Sequence, residues 1–311
     1  MRPIGLCQDW TPSVRQALEE LLQKQYQSRH EQAPVAVFDF DNTCIRHDIG
    51  DALFDAMVLY DLFSNTNAFW ELFPSDEVET LRLMRKAIQD VPWQERRSHS
   101  EVCAWRYAMH ACLARMVEEK GEPQAYAWMV QLLVGLSPDK VRNIAQEVIA
   151  AQCTRDMGTE TLEQPGKPPI VLKQGIRLYE TMREFIFQLQ LAGVEVWIVS
   201  ASNLWTVQTF GQRFGIPANR VVGARLDIRN GLLTSVMSEP MTAGEGKVEA
   251  IKHHIGQQPI LAGGDSINDR EMLHYASEQR LVIAPRDDAF ELEAEAEGWL
   301  IQPTLSRLVP F

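Results

Sequence analysis

The chain has 311 residues, 45% of them hydrophobic and 23% charged, which is enough apolar material to bury at least one sizeable core. Its formal net charge is -12 at pH 7. A chain this acidic presents no broad basic surface to neutralise the phosphates of nucleic acid or of lipid headgroups, so neither nucleic acid nor a membrane is an expected partner.

The N-terminal segment and the cysteines indicate the cellular compartment of the protein. Residues 1–30 lack the basic start, apolar middle and small-residue cleavage site of a secretory signal, and no apolar run approaches the roughly 20 residues of a membrane-spanning helix. The cysteines are scattered and show no CxxC spacing, which predicts reduced thiols. These features predict a cytoplasmic protein and leave its oligomeric state open.

The elements predicted for the first half of the chain are a helix, a strand and a long helical stretch. Apolar residues at helical spacing predict a helix over residues 11–29, and a β-branched apolar run over residues 33–40 predicts a buried strand that ends in acids. Residues 46–172 show mostly helical patterns and no convincing β alternation. The polar, proline-rich residues 160–169 are predicted to form a linker at the end of this helical insertion.

The second half alternates between helices and short apolar strands. A helix is predicted after Gly175 and through Leu191, and Asn230 with Gly231 predicts a tight hairpin turn. Buried strands are predicted at residues 194–200, 220–224, 259–262 and 280–284. Alternation of helix and strand is typical of the α/β class, in which helices connect parallel strands.

Two carboxylates, Asp39 and Asp41, follow the first predicted strand in the sequence Asp-Phe-Asp-Asn-Thr. A loop that turns as it leaves a strand can aim one of these side chains forward and leave the other beside it, which suits one nucleophile and one proton carrier. The same residues would also suit an Asx turn after an edge strand, so the pair alone does not assign a function.

Ser200 and Lys247 offer a hydroxyl and a cation. Ser200 ends the strand predicted at residues 194–200, and a hydroxyl beside the free N–H groups of a helix start forms an anion cradle, although Ser-Ala-Ser is also a common helix cap. Lys247 stands at the head of a predicted helix, where the helix dipole disfavours a cation unless an anion lies nearby. A solvated surface lysine is the simpler alternative for Lys247.

A fourth group of residues, from Gly264 and Asp265 to Asn268 and Asp269, again follows an apolar strand. Hard oxygen ligands brought from separate loops are what Mg²⁺ binds, usually together with water and phosphate oxygens. An acidic surface turn would use the same residue types. All of these groups except Lys247, however, lie just past the carboxyl end of a predicted strand, which is the edge at which α/β sheets bind ligands.

In this order and spacing, the four groups resemble the four motifs of the haloacid dehalogenase superfamily. The resemblance covers residues 33–45 and 175–290. It implies a doubly wound, mainly parallel sheet in a Rossmann-like catalytic core of residues 1–45 and 173–311, with an inserted α-helical cap domain of residues 46–172. The position of this insertion is similar to that in the phosphoserine phosphatase and phosphocholine phosphatase group.

The resemblance also implies roles for three carboxylates. Asp39 matches the nucleophile and a Mg²⁺ ligand, Asp41 matches the general acid and base whose backbone carbonyl also meets the metal, and Asp265 matches the carboxylate metal ligand. A site of this kind hydrolyses a small phosphomonoester through an aspartyl-phosphate intermediate, with Mg²⁺ as cofactor. The expected partner is therefore a small phosphorylated metabolite.

Four further residues match supporting roles. Ser200 and Lys247 match the groups that bind phosphoryl oxygens, while Asn268 and Asp269 match the support of the metal and phosphate site. A dehalogenase of the superfamily needs neither a leaving-group acid nor the metal cluster, which argues against that activity here. A phosphotransferase or mutase on the same core and a non-enzymatic protein that binds a phosphorylated metabolite are the remaining alternatives.

Two residues are candidates for substrate selection. Asp48, nine residues past the nucleophile, matches an acid that contacts the substrate ammonium group, and Arg115 matches more loosely the residue that holds the phosphoserine carboxylate. They predict a substrate like phosphoserine, phosphoethanolamine or phosphocholine. Asp48 would alternatively cap the following helix, and the aromatic residues of the insertion would either surround a quaternary ammonium group or form a helical core.

Overall fold

The structure is a computed structural model, and it describes residues 5–28 and 31–310. The α-helices are α1 (Pro12–Gln27), α2 (Ile49–Tyr60), α3 (Asn67–Trp70), α4 (Val78–Ala87), α5 (Ser100–Lys120), α6 (Glu122–Gln131), α7 (Pro138–Thr154), α8 (Glu180–Leu191), α9 (Leu204–Gly211), α10 (Glu245–His254), α11 (Arg270–Tyr275) and α12 (Asp288–Ala296). The strands are β1 (Val35–Phe38), β2 (Ile45–Arg46), β3 (Gly158–Leu162), β4 (Ile170–Gln174), β5 (Arg177–Tyr179), β6 (Glu195–Asn203), β7 (Val221–Ala224), β8 (Leu226–Arg229), β9 (Leu232–Met237), β10 (Leu261–Gly264), β11 (Gln279–Ile283), β12 (Leu300–Gln302) and β13 (Leu308–Val309). Within the described ranges, none of the helices combines the length and the hydropathy needed to cross a membrane.

The chain divides into two compact units. The α/β unit comprises Met1–Asp48, Ile176–Gly223 and Met241–Phe311, and the helical unit comprises Ile49–Gly175 and Ala224–Pro240. The predicted domain boundaries after residues 45 and 172 lie a few residues from the boundaries of these units. The prediction also placed residues 224–240, the second segment of the helical unit, in the core. The assignment of these parts as a catalytic core and a cap stays a prediction.

The α/β unit is built around a six-stranded sheet with the order β12-β11-β10-β1-β6-β7. Strand β1 lies inside this sheet and pairs in parallel with β10 and with β6, so that Ala36 faces Leu261 on one side and Val196 on the other. The pairings of β10 with β11 and of β11 with β12 are also parallel. Parallel sheets are covered on both faces, which is why every residue of β1 and of β10 is buried.

Helices pack on both faces of this sheet. Val35 and Val37 point to one face, where they join a buried cluster that includes residues of α10, α11 and α12. Phe38 points to the other face and contacts Phe185 of α8, with ring centroids 6.2 Å apart, and Phe185 contacts Trp10 at 5.7 Å. The predicted fold class, a doubly wound, mainly parallel sheet with a helical insertion, is confirmed.

Two predictions for the α/β unit need correction. The segment predicted as a helix after Gly175 begins with β5, which pairs antiparallel with β2 and β13, and helix α8 starts only at Glu180. Ile176 and Leu178 are both buried, with the alternation of a strand, but the run is too short to be distinguished from a helix start in the sequence. The edge strand β12 was not predicted, because its three residues show no usable pattern.

The helical unit contains α2 to α7 and two hairpins. Residues 160–169 are not a linker, because β3 and β4 pair antiparallel across them, with Thr161 opposite Val171. The proline-rich residues form the turn of this hairpin, where Gly166 has a φ of 73° and the Lys167 N–H donates to the Gln164 carbonyl at 3.1 Å. The predicted turn at Asn230 and Gly231 is present between β8 and β9, and both residues have positive φ, as a type I′ turn requires.

A buried ion network joins the first of these hairpins to the helices of the same unit. Arg106 of α5, which is 2% exposed, donates to both carboxylate oxygens of Asp55 on α2 and of Glu160 on β3, at 2.5 to 2.9 Å. His110 Nε2 lies 3.0 Å from Asp55 Oδ1. Burial acts to raise the pKa of Asp55, but hydrogen bonds from His110 and Arg106 outweigh it and lower that pKa to about 2. Ionised Asp55 therefore stabilises the helical unit.

We predict that Asp55→Asn lowers the free energy of unfolding at pH 7 by about 2 to 5 kcal/mol, because it removes half of the counter-charge of a buried guanidinium. A carboxyl whose pKa is lowered by folding stabilises the protein above its unfolded pKa of about 4 and loses that effect as the pH falls to about 2. The difference between wild type and variant should therefore shrink over this range, which chemical denaturation at several pH values will measure.

The matched control for this experiment is Asp139→Asn. Asp139 contacts Arg142 at 2.8 Å, but its side chain is 89% exposed, and exposed pairs contribute little to stability. A loss in Asp55→Asn that is no larger than that of Asp139→Asn, or that does not change between pH 4 and pH 2, would contradict the role assigned to the buried network.

Candidate active site

The loop after β1 places Asp39 and Asp41 at the carboxyl edge of the sheet. The Asp39 N–H donates to the Gly263 carbonyl of β10 at 2.9 Å, so the ladder continues one residue past β1. The chain then turns back, with Asn42 at a φ of 57°, a conformation that asparagine adopts more readily than most residues. Both carboxylate side chains are buried. The first pair of predicted site residues therefore lies where a parallel sheet binds its ligands.

Lys247 lies between two buried carboxylates. It occupies the first turn of α10, and its Nζ is 2.5 Å from Asp39 Oδ1 and 2.6 Å from Asp269 Oδ1. Its side chain is 2% exposed. Burial acts to lower the pKa of Lys247, but Asp269 and Asp39 outweigh it and raise that pKa. The lysine is therefore charged at neutral pH, and the anions expected beside a cation at a helix start are these two aspartates.

Asp39 itself is under opposing electrostatic influences. Burial raises its pKa, the Lys247 ammonium group lowers it, and the negative charge of Asp269 raises it again, with the result that the pKa of Asp39 is about 6. Asp39 is therefore mostly ionised at pH 7. An ionised carboxylate is the form that can attack phosphorus.

The loop after β10 is ordered by Asp269. Its Oδ2 accepts hydrogen bonds from the Asp265 N–H at 3.0 Å, from the Ser266 N–H at 3.1 Å and from the Ser266 hydroxyl at 3.3 Å. Gly264 allows this close approach, since a Cβ at that position would lie only 2.4 Å from Asp269 Cβ. The backbone carbonyl of Asn268 accepts a hydrogen bond from the Gly244 N–H at 2.8 Å, which joins this loop to the turn before α10.

Within the described residues, one carboxylate oxygen of Asp265 is only partly satisfied by protein donors. Its Oδ1 accepts a hydrogen bond from Thr43 Oγ1 at 3.5 Å. Its Oδ2 lies 2.7 Å from Arg286 Nε, which is the distance of an ion pair, but no residue in the described ranges gives Oδ2 a hydrogen bond of acceptable geometry. The side chain is 3% exposed, and burial together with Asp269 raises its pKa well above the usual range. A buried, incompletely satisfied carboxylate of this kind fits a cation ligand.

The residues present fit Mg²⁺. Carboxylate oxygens of Asp39, Asp265 and Asp269 all lie within 4.8 Å of one another, and hard oxygens are the ligands that Mg²⁺ prefers. Both oxygens of Asp269 are engaged by Lys247 and by the loop N–H groups, so Asp269 is better suited to support than to ligation. Asp39 and Asp265 would hold the ion, and the predicted contribution of the Asp41 backbone carbonyl stays a prediction.

Two serines of β6 contact Asp41. Ser202 Oγ lies 2.7 Å from Asp41 Oδ2, and Ser200 Oγ lies 3.5 Å from the same oxygen. The strand runs on through both serines to Asn203, whose side chain caps α9 by accepting the Thr206 N–H at 3.0 Å. The helix thus opens after Asn203 and not directly after Ser200.

Ser202, Thr43 and Arg286 were not predicted as site residues from the sequence. The signal for Ser202 was its place two residues after Ser200, which puts both side chains on one side of a strand. Arg286 follows β11 by a few residues, but nothing in a single sequence indicates which acid such an arginine meets. These contacts depend on strand register and loop conformation.

Asp48 and Arg115 lie in different units. Asp48 directly precedes α2 and ends the first segment of the α/β unit, whereas Arg115 belongs to α5 of the helical unit. Arg115 donates to both carboxylate oxygens of Glu77, at 2.6 and 2.8 Å. A role for Asp48 or Arg115 in substrate selection therefore stays a prediction.

The aromatic residues of the insertion mainly form a core. Phe69 is fully buried and contacts Phe63 and Trp70, with ring centroids 5.1 and 5.0 Å away. The guanidinium group of Arg85 lies 4.9 Å from the Phe69 ring and 5.6 Å from the Trp70 ring. The cation that these rings meet is thus a residue of the protein, which favours the helical core over a cage for a substrate ammonium group.

We predict that Mg²⁺ raises the melting temperature of the wild type and that Asp265→Asn abolishes most of this response, because binding to the folded state alone stabilises it. Since burial raises the pKa of Asp265, its ionised form destabilises the metal-free fold at pH 7, and the variant without Mg²⁺ should melt no lower than the wild type. Thermal melts with and without Mg²⁺ will measure both effects. Asp288→Asn, which changes an exposed acid at the start of α12, is the control, and an equal Mg²⁺ response in Asp265→Asn would refute the assignment.

Comparison with known proteins gives one family match. The haloacid dehalogenase-like hydrolase family matches residues 139–274, a range that includes Ser200, Lys247, Asp265 and Asp269. No curated protein matches the chain.

Solved structures share the fold. A functionally unknown protein from Anaerococcus prevotii is 22% identical and aligns over 97% of this chain and 96% of its own, with a TM-score of 0.78. A protein of unknown function from Bordetella pertussis is 16% identical and aligns over 87% of this chain and 98% of its own, with a TM-score of 0.59. The family match confirms the resemblance to the haloacid dehalogenase-like hydrolases over residues 139–274, and the two solved structures show that the fold is shared.

Proposed function

We propose that this protein is a Mg²⁺-dependent phosphatase that hydrolyses a small phosphomonoester through an aspartyl-phosphate on Asp39. The observation that carries the proposal is the pairing of Asp39 with the buried Lys247 at 2.5 Å, while a second carboxylate, Asp41, lies on the same loop with serine hydroxyls as partners. The two acids thus have different surroundings, as a nucleophile and a proton carrier require.

A site of this kind must first offset the electrostatic repulsion between its nucleophile and its substrate. A carboxylate and a phosphomonoester dianion repel each other, so positive charge has to lie at the point of attack. Lys247 brings one positive charge beside Asp39, and its contact with Asp269 fixes its position there. When bound by Asp39 and Asp265, Mg²⁺ supplies two more positive charges and polarises a phosphoryl oxygen.

The reaction then proceeds in two steps. In the first, Asp39 attacks phosphorus, the bond between phosphorus and the leaving oxygen breaks, and Asp41 donates a proton to that oxygen. In the second, water attacks the phosphorus of the aspartyl-phosphate and gives a proton to Asp41, and Asp39 leaves as a carboxylate. Each residue returns to its starting state, and transfer to an acceptor other than water would give the phosphotransferase alternative.

We predict that Asp39→Asn lowers kcat on phosphomonoesters by at least about a thousandfold, because the amide is not a nucleophile, while the fold is kept. Lys247 retains Asp269 as a partner in the variant, so no buried charge is left unpaired. Release of inorganic phosphate in the presence of Mg²⁺ measures the loss, and circular dichroism checks the fold. Asp90→Asn, at an exposed site, is the control, and turnover near the wild-type rate in folded Asp39→Asn would eliminate the covalent mechanism.

The substrate is proposed to carry an amino or quaternary ammonium group, as in phosphoserine, phosphoethanolamine or phosphocholine. We predict that Asp48→Asn lowers kcat/KM on these substrates about tenfold or more but spares phenyl phosphate, because a charge-assisted contact contributes about 1 to 3 kcal/mol. Asparagine caps helices almost as well as aspartate, so the variant keeps the alternative structural role. Equal losses on charged and uncharged substrates, or no loss on either, would show that Asp48 does not contact the ammonium group.

A further inference from the structure

Of Ser200 and Ser202, the serine closer to the proposed proton carrier Asp41 is Ser202, and not Ser200, which the motif pattern identifies. Ser202 Oγ lies 2.7 Å from Asp41 Oδ2, the distance of a strong hydrogen bond between a hydroxyl and a carboxylate. Ser200 Oγ lies 3.5 Å from that oxygen, at the limit of a hydrogen bond. The two serines therefore do not contribute equally to the position of Asp41.

The surroundings of Ser200 and Ser202 suit different tasks. Ser200 is fully buried, its hydroxyl oxygen accepts the Ser202 N–H at 3.1 Å, and its own proton makes only the long contact of 3.5 Å with Asp41 Oδ2. Ser202 lies two residues further along β6, on the same side of the strand, and the next residue, Asn203, is fixed as the cap of α9. The Ser202 backbone is thus held on both sides.

We propose that Ser202 is a positioning residue that holds Asp41 in the orientation for proton transfer to the leaving group, an inference that rests on the proposed phosphatase function. The Ser202 hydroxyl donates to Asp41 Oδ2, which assigns the transferred proton to Oδ1. In the first step the O–H bond at Oδ1 breaks, a new O–H bond forms on the leaving oxygen as its bond to phosphorus breaks, and Ser202 keeps its own proton.

This role has a specific consequence for the dependence on the leaving group. An alkoxide is a poor leaving group and needs the proton from Asp41, whereas 4-nitrophenolate leaves without it. Loss of the Ser202 hydroxyl should therefore slow the first step for an alkyl phosphate and leave the first step for 4-nitrophenyl phosphate nearly unchanged. A serine that bound phosphoryl oxygens, or that only supported the fold, would affect both substrates alike.

The test compares kcat/KM of Ser202→Ala on a primary alkyl phosphate and on 4-nitrophenyl phosphate. The expected loss is about tenfold on the alkyl phosphate, through kcat more than KM, and less than about twofold on the aryl phosphate. Ser202→Thr, which keeps a hydroxyl, should restore the alkyl rate to near wild type. If Ser202→Ala does not fold, Ser202→Cys, with a weak donor of similar shape, should show the same selective loss.

A double-mutant cycle shows whether Ser202 acts through Asp41. In Asp41→Asn, whose amide cannot protonate the leaving group, adding Ser202→Ala should cause no further loss on the alkyl phosphate. Equal losses on both substrates in Ser202→Ala, or full additivity in the cycle, would overturn the inference. Failure of the wild type to hydrolyse any phosphomonoester would overturn the proposed function as well, whereas an active wild type with an unchanged ratio in Ser202→Ala overturns the Ser202 role alone.

Discussion

The rest of the candidate site depends on the ion pairs that the buried ammonium group of Lys247 makes with Asp39 and Asp269. Asp39 and Asp269 come from loops that follow different strands, and two buried carboxylates this close together cannot both stay ionised without a cation between them. Lys247 reaches this position because α10 starts in a tight bend, where a Cβ at Gly246 would lie 1.9 Å from the Met241 carbonyl oxygen. One lysine thereby fixes Asp39, the acidic loop and the start of a helix relative to one another.

The same arrangement leaves the metal-free site electrostatically unfavourable. Burial raises the pKa of both Asp39 and Asp265, which means that their ionised forms are less stable here than in water. Arg286 and Lys247 offset part of this cost by their charges. A divalent cation would offset more of it, so the proposed binding of Mg²⁺ and the raised pKa values would have one physical origin.

Much of the sheet and of the site could be predicted from the sequence. Short apolar runs identified β1, β6, β7, β10 and β11, and the parallel pairing of β1 with β10 explains why Asp39 and Asp265 come together. The hairpin of β3 and β4 was missed because its turn has the composition of a linker, and β5 was missed because three residues carry little pattern. Ser202 was missed because its contact depends on how the loop after β1 turns, which one sequence does not reveal.

The proposed mechanism is tested most directly by locating the phosphoryl group on the protein. Asp41→Asn lacks the base that activates water, so the intermediate should accumulate on a good leaving-group substrate such as 4-nitrophenyl phosphate. Acid quenching, digestion and mass spectrometry should then find one phosphoryl group on Asp39, and none in the variant that also carries Asp39→Asn. Turnover with no phosphorylated residue, or with the phosphoryl group on a residue other than Asp39, would contradict the mechanism.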